Sequence, residues 1–156
     1  MIIGPSGSGK TALFQYLYSK EFRQTVSSLE ENSTTDEDTN IRMPAKRECK
    51  VSSIDIPGHF NFRARIQETV ENARAVILMV DSKDRTKLPE AAEMLYDILN
   101  NITVLENKVP IMVVCNKQDI QFARRATQIE HEFERDIEEL RRVRKATMDD
   151  QDTAKE

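Results

Sequence analysis

All four glycines of this 156-residue chain fall in two short segments, Gly4-Pro5-Ser6-Gly7-Ser8-Gly9-Lys10-Thr11 and Asp55-Ile56-Pro57-Gly58. A chain this sparing with glycine keeps it where backbone must approach something closely. The first segment fits G-x-x-x-x-G-K-[ST], a turn that points successive N–H groups at phosphate from the start of a helix. In that chemistry Gly4, Pro5, Ser6, Gly7, Ser8 and Gly9 make the cradle and Lys10 reaches the β- and γ-phosphates. Thr11 offers its hydroxyl to Mg²⁺, and Ala12 is the next residue of the binding segment. Such an octapeptide arises by chance in about one chain in a few hundred of this length. The motif requires a strand before it and a helix after it. Met1-Ile2-Ile3 reads as the stub of a buried strand, and Leu13, Phe14 and Leu17 recur at helical spacing.

Ala75 to Val80 and Ile111 to Cys115 are continuous apolar runs, the pattern of strands buried on both faces of a parallel sheet. Between them a helix is predicted to open at Pro89 and carry Leu95, Ile98, Leu99, Ile102 and Leu105 on one face. Ser27 to Asn40 reads as a mobile acidic loop. Asn40 to Met43 and Cys49 to Ile56 read as a hairpin around Pro44. After Asp119, Phe122, Ala126, Ile129, Phe133, Ile137 and Leu140 predict one long amphipathic helix. The alternation implies an α/β fold of the P-loop NTPase type, a mostly parallel sheet flanked by helices. One domain is expected over residues 1–147, with 148–156 a disordered polar tail. Its first strand is short for a central position and no strand follows the long helix, so the domain reads as starting and stopping early.

Composition narrows the partners. A formal charge of −4 and pI near 5.4 give no global attraction to nucleic acid, so no direct nucleic-acid contact is expected. The longest apolar run is far short of the roughly 20 residues that span a bilayer. Cys49 and Cys115 lie in apolar runs and read as reduced core thiols.

Two further motifs belong at strand ends, the ligand edge of an open α/β sheet. Asp55 can hold Mg²⁺, usually through water, and the Gly58 N–H can donate to a γ-phosphate oxygen. At the end of the last run stand Asn116, Lys117, Gln118 and Asp119. The Asp119 carboxylate can accept from N1–H and the exocyclic amine of guanine, whereas adenine would leave it desolvated and unpaired. Asn116 can bond the base edge and the phosphate loop, and the Lys117 stem can lie along the purine. GTP or GDP with Mg²⁺ is therefore the expected ligand.

Together with Ala73-Arg74-Ala75-Val76-Ile77, Val80-Asp81-Ser82 and Cys115-Asn116-Lys117-Gln118-Asp119-Ile120, these residues resemble a small GTPase. His59 after Asp55-Ile56-Pro57-Gly58 brings the resemblance to the signal recognition particle receptor beta subunits, which are similar to the Arf and Sar GTPases. That resemblance implies a GTP-gated subunit docking the receptor alpha subunit, and through it ribosomes and the signal recognition particle. It also implies a place on the cytosolic face of the endoplasmic reticulum membrane, held by a helix that would precede Met1, and a final strand and helix that would follow Glu156, so that the α/β domain is expected to lack them here. Small GTPases usually present a threonine to Mg²⁺ from the first switch loop. Ser27 stands at the expected offset, with Thr25 and Ser28 as neighbours and Ser33, Thr34 and Thr35 as alternatives.

His59 can orient an attacking water, or it can shape a partner-binding switch with slow hydrolysis. The competing readings are a vesicle-traffic GTPase of the Arf or Rab kind and a truncated copy that binds no nucleotide.

Overall fold

The computed structural model describes residues 1–22, 25, 30–34, 40–42 and 48–153. The elements are β1 (Ile2–Ile3), α1 (Lys10–Ser19), β2 (Asn32–Thr34), β3 (Asn40–Arg42), β4 (Glu48–Lys50) and β5 (Ser53–Asp55), followed by α2 (Arg63–Val70). Then come β6 (Val76–Asp81), α3 (Leu88–Leu99), α4 (Ile102–Glu106), β7 (Ile111–Asn116) and α5 (Ala126–Thr153). Five strands form one sheet in the order β2-β5-β1-β6-β7, and β3 and β4 form a separate antiparallel pair. β1 runs parallel to β5 and β6, and β6 parallel to β7; β2 alone is antiparallel. The expected α/β architecture, mostly parallel with helices around it, is what forms.

The strand period of two divides the core. Ile3, Val76, Leu78 and Val80 join Ile56, Ile98, Ile129 and Phe133 in one cluster, while Ile2 and Met79 pack with Phe14 of α1 in another. Continuous apolar runs were needed because helices lie on both sides of the central strands. β7 departs from that expectation: it is an edge strand, with Met112 62% and Val113 38% exposed.

Four other expectations change. Cys49 to Ile56 is not one strand: β4 pairs with β3 in a separate sheet, β5 aligns Asp55 with Ile2 of β1, and residues 51–52 between them belong to neither ladder. The acidic loop contributes β2, whose Ser33 and Thr34 pair with Ile54 and Ser53 through backbone, a signal that polar side chains do not carry. The helix after Pro89 ends at Leu99. Asn101 caps α4 by accepting from the Thr103 and Val104 N–H groups, so Leu99, Ile102 and Leu105 are left exposed. Phe122 precedes α5, at φ 65° and 81% exposed, and α5 runs from Ala126 to Thr153. None of the helices among the described residues is long and apolar enough to cross a membrane.

Candidate functional site

Parallel register brings β1, β5, β6 and β7 to a common edge, where Asp81 stands opposite Asn116 and Asp55 opposite Ile2. The loop after β1 turns there into α1. The α1 N-cap is Gly9, with no side-chain cap, so the first-turn N–H groups are left for an external acceptor. Gly9 has φ 98°, and a Cβ on it would stand 2.3 Å from the Asn116 Nδ2. The phosphate loop and the 116–119 loop therefore touch only because residue 9 has no side chain.

A cleft of about 350 Å³ opens at this edge, lined by Ser6, Gly7, Gly9, Lys10, Thr11, Ala12, Thr25, Pro57, Gly58, Asn116 and Lys117. All three motifs thus face one space. Gly4, Pro5 and Ser8 are buried behind it. Lys10 is only 5% exposed and donates to the Pro5 carbonyl at 3.0 Å. Burial pushes its ammonium below the ordinary value, against the pull of Asp55 and Glu90. A buried cation of this kind gains from an arriving polyanion. Asn116 Nδ2 donates to the Ser8 carbonyl at 2.8 Å.

The donor set fits a hard divalent cation. Thr11 Oγ1 donates to Asp55 Oδ2 at 2.7 Å, and the other carboxylate oxygen, Oδ1, is buried with no hydrogen-bond partner. An orphaned carboxylate oxygen beside a hydroxyl is what a metal or its water would satisfy. Asn32 of β2 also donates to Asp55 Oδ2, at 3.2 Å. The motifs gave no hint of Asn32, because its contact is made by sheet pairing.

On the base side, Lys117 adopts φ 61° and its Nζ lies 2.6 Å from Asp81 Oδ2. Burial would raise the Asp81 carboxyl, but the hydrogen bond from Lys117, the Lys83 and Asp84 N–H groups and the Lys117 charge together hold it below its ordinary value. Gln118 Nε2 donates to Ser82 Oγ at 2.6 Å and to the Arg124 carbonyl at 2.8 Å, which folds the loop back on β6. Asp81 and Gln118 therefore hold the 116–119 loop against the end of β6 through contacts made across 36 residues of sequence.

Not every expected residue meets the cleft. Asp119 is exposed and His59 is exposed beside it rather than lining it, with the Asn61 N–H directed at His59 Nδ1 at 3.5 Å. Ser27, Ser28 and Thr35 lie outside the described residues. Thr25 reaches the cleft, whereas Ser33 and Thr34 belong to β2. A larger cavity, about 750 Å³, lies between α3, β7 and α5 against Leu95, Val113, Cys115, Ile129 and Phe133. It is remote from the phosphate loop. Burial pushes the half-buried Cys115 thiol up, so it is a poor nucleophile.

The family model of the signal recognition particle receptor beta subunit matches residues 1–156. The chain belongs to that family. Signal recognition particle receptor subunit beta of mouse is 33% identical, over 99% of this chain and 57% of its own length. The yeast subunit is 32% identical over 96% of this chain and 60% of its own length. The chain thus spans little more than half the length of these two relatives. The mammalian SRP receptor structure superposes with a TM-score of 0.75 at 29% identity, covering 92% of this chain and 74% of that one. A small GTPase of Trypanosoma brucei, solved with a bound nucleotide analogue, superposes at 0.68 and 20% identity over 85% of this chain and 75% of that one. The latter likeness concerns the fold.

Proposed function

We propose that this chain binds GTP and GDP with Mg²⁺ and serves as the nucleotide-gated docking subunit for a signal recognition particle receptor alpha subunit. The carrying observation is the single cleft shared by the phosphate loop, Gly58 and Asn116-Lys117, within a family whose relatives are receptor beta subunits. Lys10 and the α1 N-terminus would take the phosphates. Thr11 and Asp55 would hold Mg²⁺, which neutralises charge on the phosphate oxygens when bound. Asp119 would read guanine. His59, next to the Gly58 N–H, would orient the attacking water in a slow hydrolysis that resets the docking surface. Membership of the family further supports work at the cytosolic face of the endoplasmic reticulum membrane, upstream of the ribosome and the signal recognition particle.

Thermal unfolding with Mg²⁺ and excess GTP, GDP or ATP tests the ligand. At a hundredfold excess over Kd, binding stabilises by about 2.7 kcal/mol, a midpoint rise of several degrees. The rise is expected for both guanine nucleotides and absent for ATP. Titration with a purified receptor alpha subunit then tests docking, which is expected with GTP and weakened with GDP. Equal affinity in both states would remove the gating.

A further inference from the structure

Three carbonyls of the phosphate loop accept from side chains. Lys10 holds the Pro5 carbonyl and Asn116 the Ser8 carbonyl. Between them, Lys87 Nζ donates to the Ser6 carbonyl at 2.6 Å. Lys87 stands outside the motifs. It ends the short 3-10 turn Arg85–Lys87 that leads into α3, and Asp84, which caps that turn, sits 3.8 Å from its ammonium.

The direction of this bond matters. All peptide bonds among the described residues are trans, and in a planar trans peptide the C=O and N–H point to opposite sides. The carbonyl held by Lys87 shares its peptide unit with the Gly7 N–H. Gly7 lines the cleft and Lys87 does not. Pulling the Ser6 oxygen toward Lys87 therefore turns the Gly7 N–H toward the cleft. Gly7 has φ 79° and a Cβ on it would lie 3.5 Å from Lys87 Nζ, so the ammonium lies against a stretch of loop without side-chain bulk. Lacking a side chain, that stretch needs an outside tether to fix its peptide plane.

We propose that Lys87 is a positioning residue for nucleotide phosphate, fixing the Ser6–Gly7 peptide so that the Gly7 N–H faces the ligand. The proposal rests on the guanine-nucleotide reading given above. Lys87 acts through the loop backbone, at a distance of 81 residues in sequence. A charge-assisted hydrogen bond of this kind preorganises the donor before the anion arrives.

The test is release of a fluorescent GDP analogue from the full chain with Mg²⁺, chased by excess GDP. Lys87→Met, which keeps the stem and removes the donor, is expected to release about tenfold faster, because the Gly7 N–H loses its hydrogen bond to charged phosphate. Lys87→Arg restores a donor and is expected to return release to near the wild-type rate. The Lys87 side chain is 38% exposed, so the nucleotide-free unfolding midpoint is expected to stay unchanged in both variants. If Lys87→Met fails to fold, Lys87→Leu makes the same comparison with a shorter side chain that carries no donor. Wild-type release rates in Lys87→Met overturn the proposal, as does fast release that Lys87→Arg does not correct. A wild-type chain that retains no GDP analogue instead overturns the nucleotide reading on which it rests.

Discussion

A methyl group on Gly58 would stand 2.3 Å from the Gly4 carbonyl oxygen and 2.5 Å from the Ser6 backbone nitrogen, both parts of a buried loop that cannot give way. Gly58→Ala is therefore expected to cost about 1–3 kcal/mol, read as a lower unfolding midpoint without nucleotide. A weak Asp-x-x-Gly pattern thus has a firm packing cause that the pattern alone could not supply. Asp81 behaves differently, because its value depends on ionisation. Its carboxyl is held below the ordinary range in the folded state, so its contribution is present above that range and lost as pH falls through the folded value. Asp81→Asn is expected to lower the midpoint at pH 7, and the gap to wild type is expected to close on acidification. A gap independent of pH would mean that lost packing, not charge, was measured. For base reading, Asp119→Asn is expected to weaken GTP and gain xanthosine triphosphate, whose base carries a carbonyl where guanine has its amine; binding assays with both nucleotides check this. The motif residues were legible because each carries local chemistry, whereas the contacts of Asn32, Asp81 and Lys87 close across the fold and have no local signature.

α5 shows what periodicity can and cannot decide. Its spacing of three and four predicted the helix, and Ile129 at 1% and Phe133 at 5% exposure seat it on the core. Phe133→Ala is expected to cost about 3–5 kcal/mol in denaturant unfolding, while Val143→Ala, at a position 56% exposed, is expected to stay within about 0.5 kcal/mol. Farther along, Arg144 reaches Asp97 at 2.6 Å and lies over the Tyr96 ring, joining α5 to α3 through charge that no apolar pattern records. One turn earlier on the same face of α3, Arg63 of α2 meets Glu93 at 2.6 Å, and Arg144 lies 4.0 Å from the other Glu93 oxygen. Glu93 thereby ties α3 to the helix that follows Gly58 and His59. The break between α3 and α4 was misread for a related reason. Leu99, Ile102 and Leu105 continue an apolar spacing, but the Asn101 side chain competes for the backbone and starts a new helix.

At the scale of the molecule, the sheet ends in β7, an edge strand with Met112 and Val113 exposed among the described residues. Exposed apolar edges favour self-association, and a lysine is a natural deterrent. Met112→Lys is expected to reduce light scattering at high protein concentration and to leave the GTP-induced rise in unfolding midpoint intact, since Met112 is far from the cleft in register and 62% exposed. The sequence by itself determined the fold class, the phosphate loop and the helical faces of α1 and α5, because these follow from close backbone approach, local hydrogen bonding or a period of three to four residues. Only the tertiary structure decided that β2 joins the main sheet while β4 leaves it, that β7 lies at an edge, and that Asn32 reaches Asp55 and Lys87 the Ser6 carbonyl. Those outcomes depend on strand register and on contacts closed across long loops, and neighbouring side chains along the chain do not encode them one at a time.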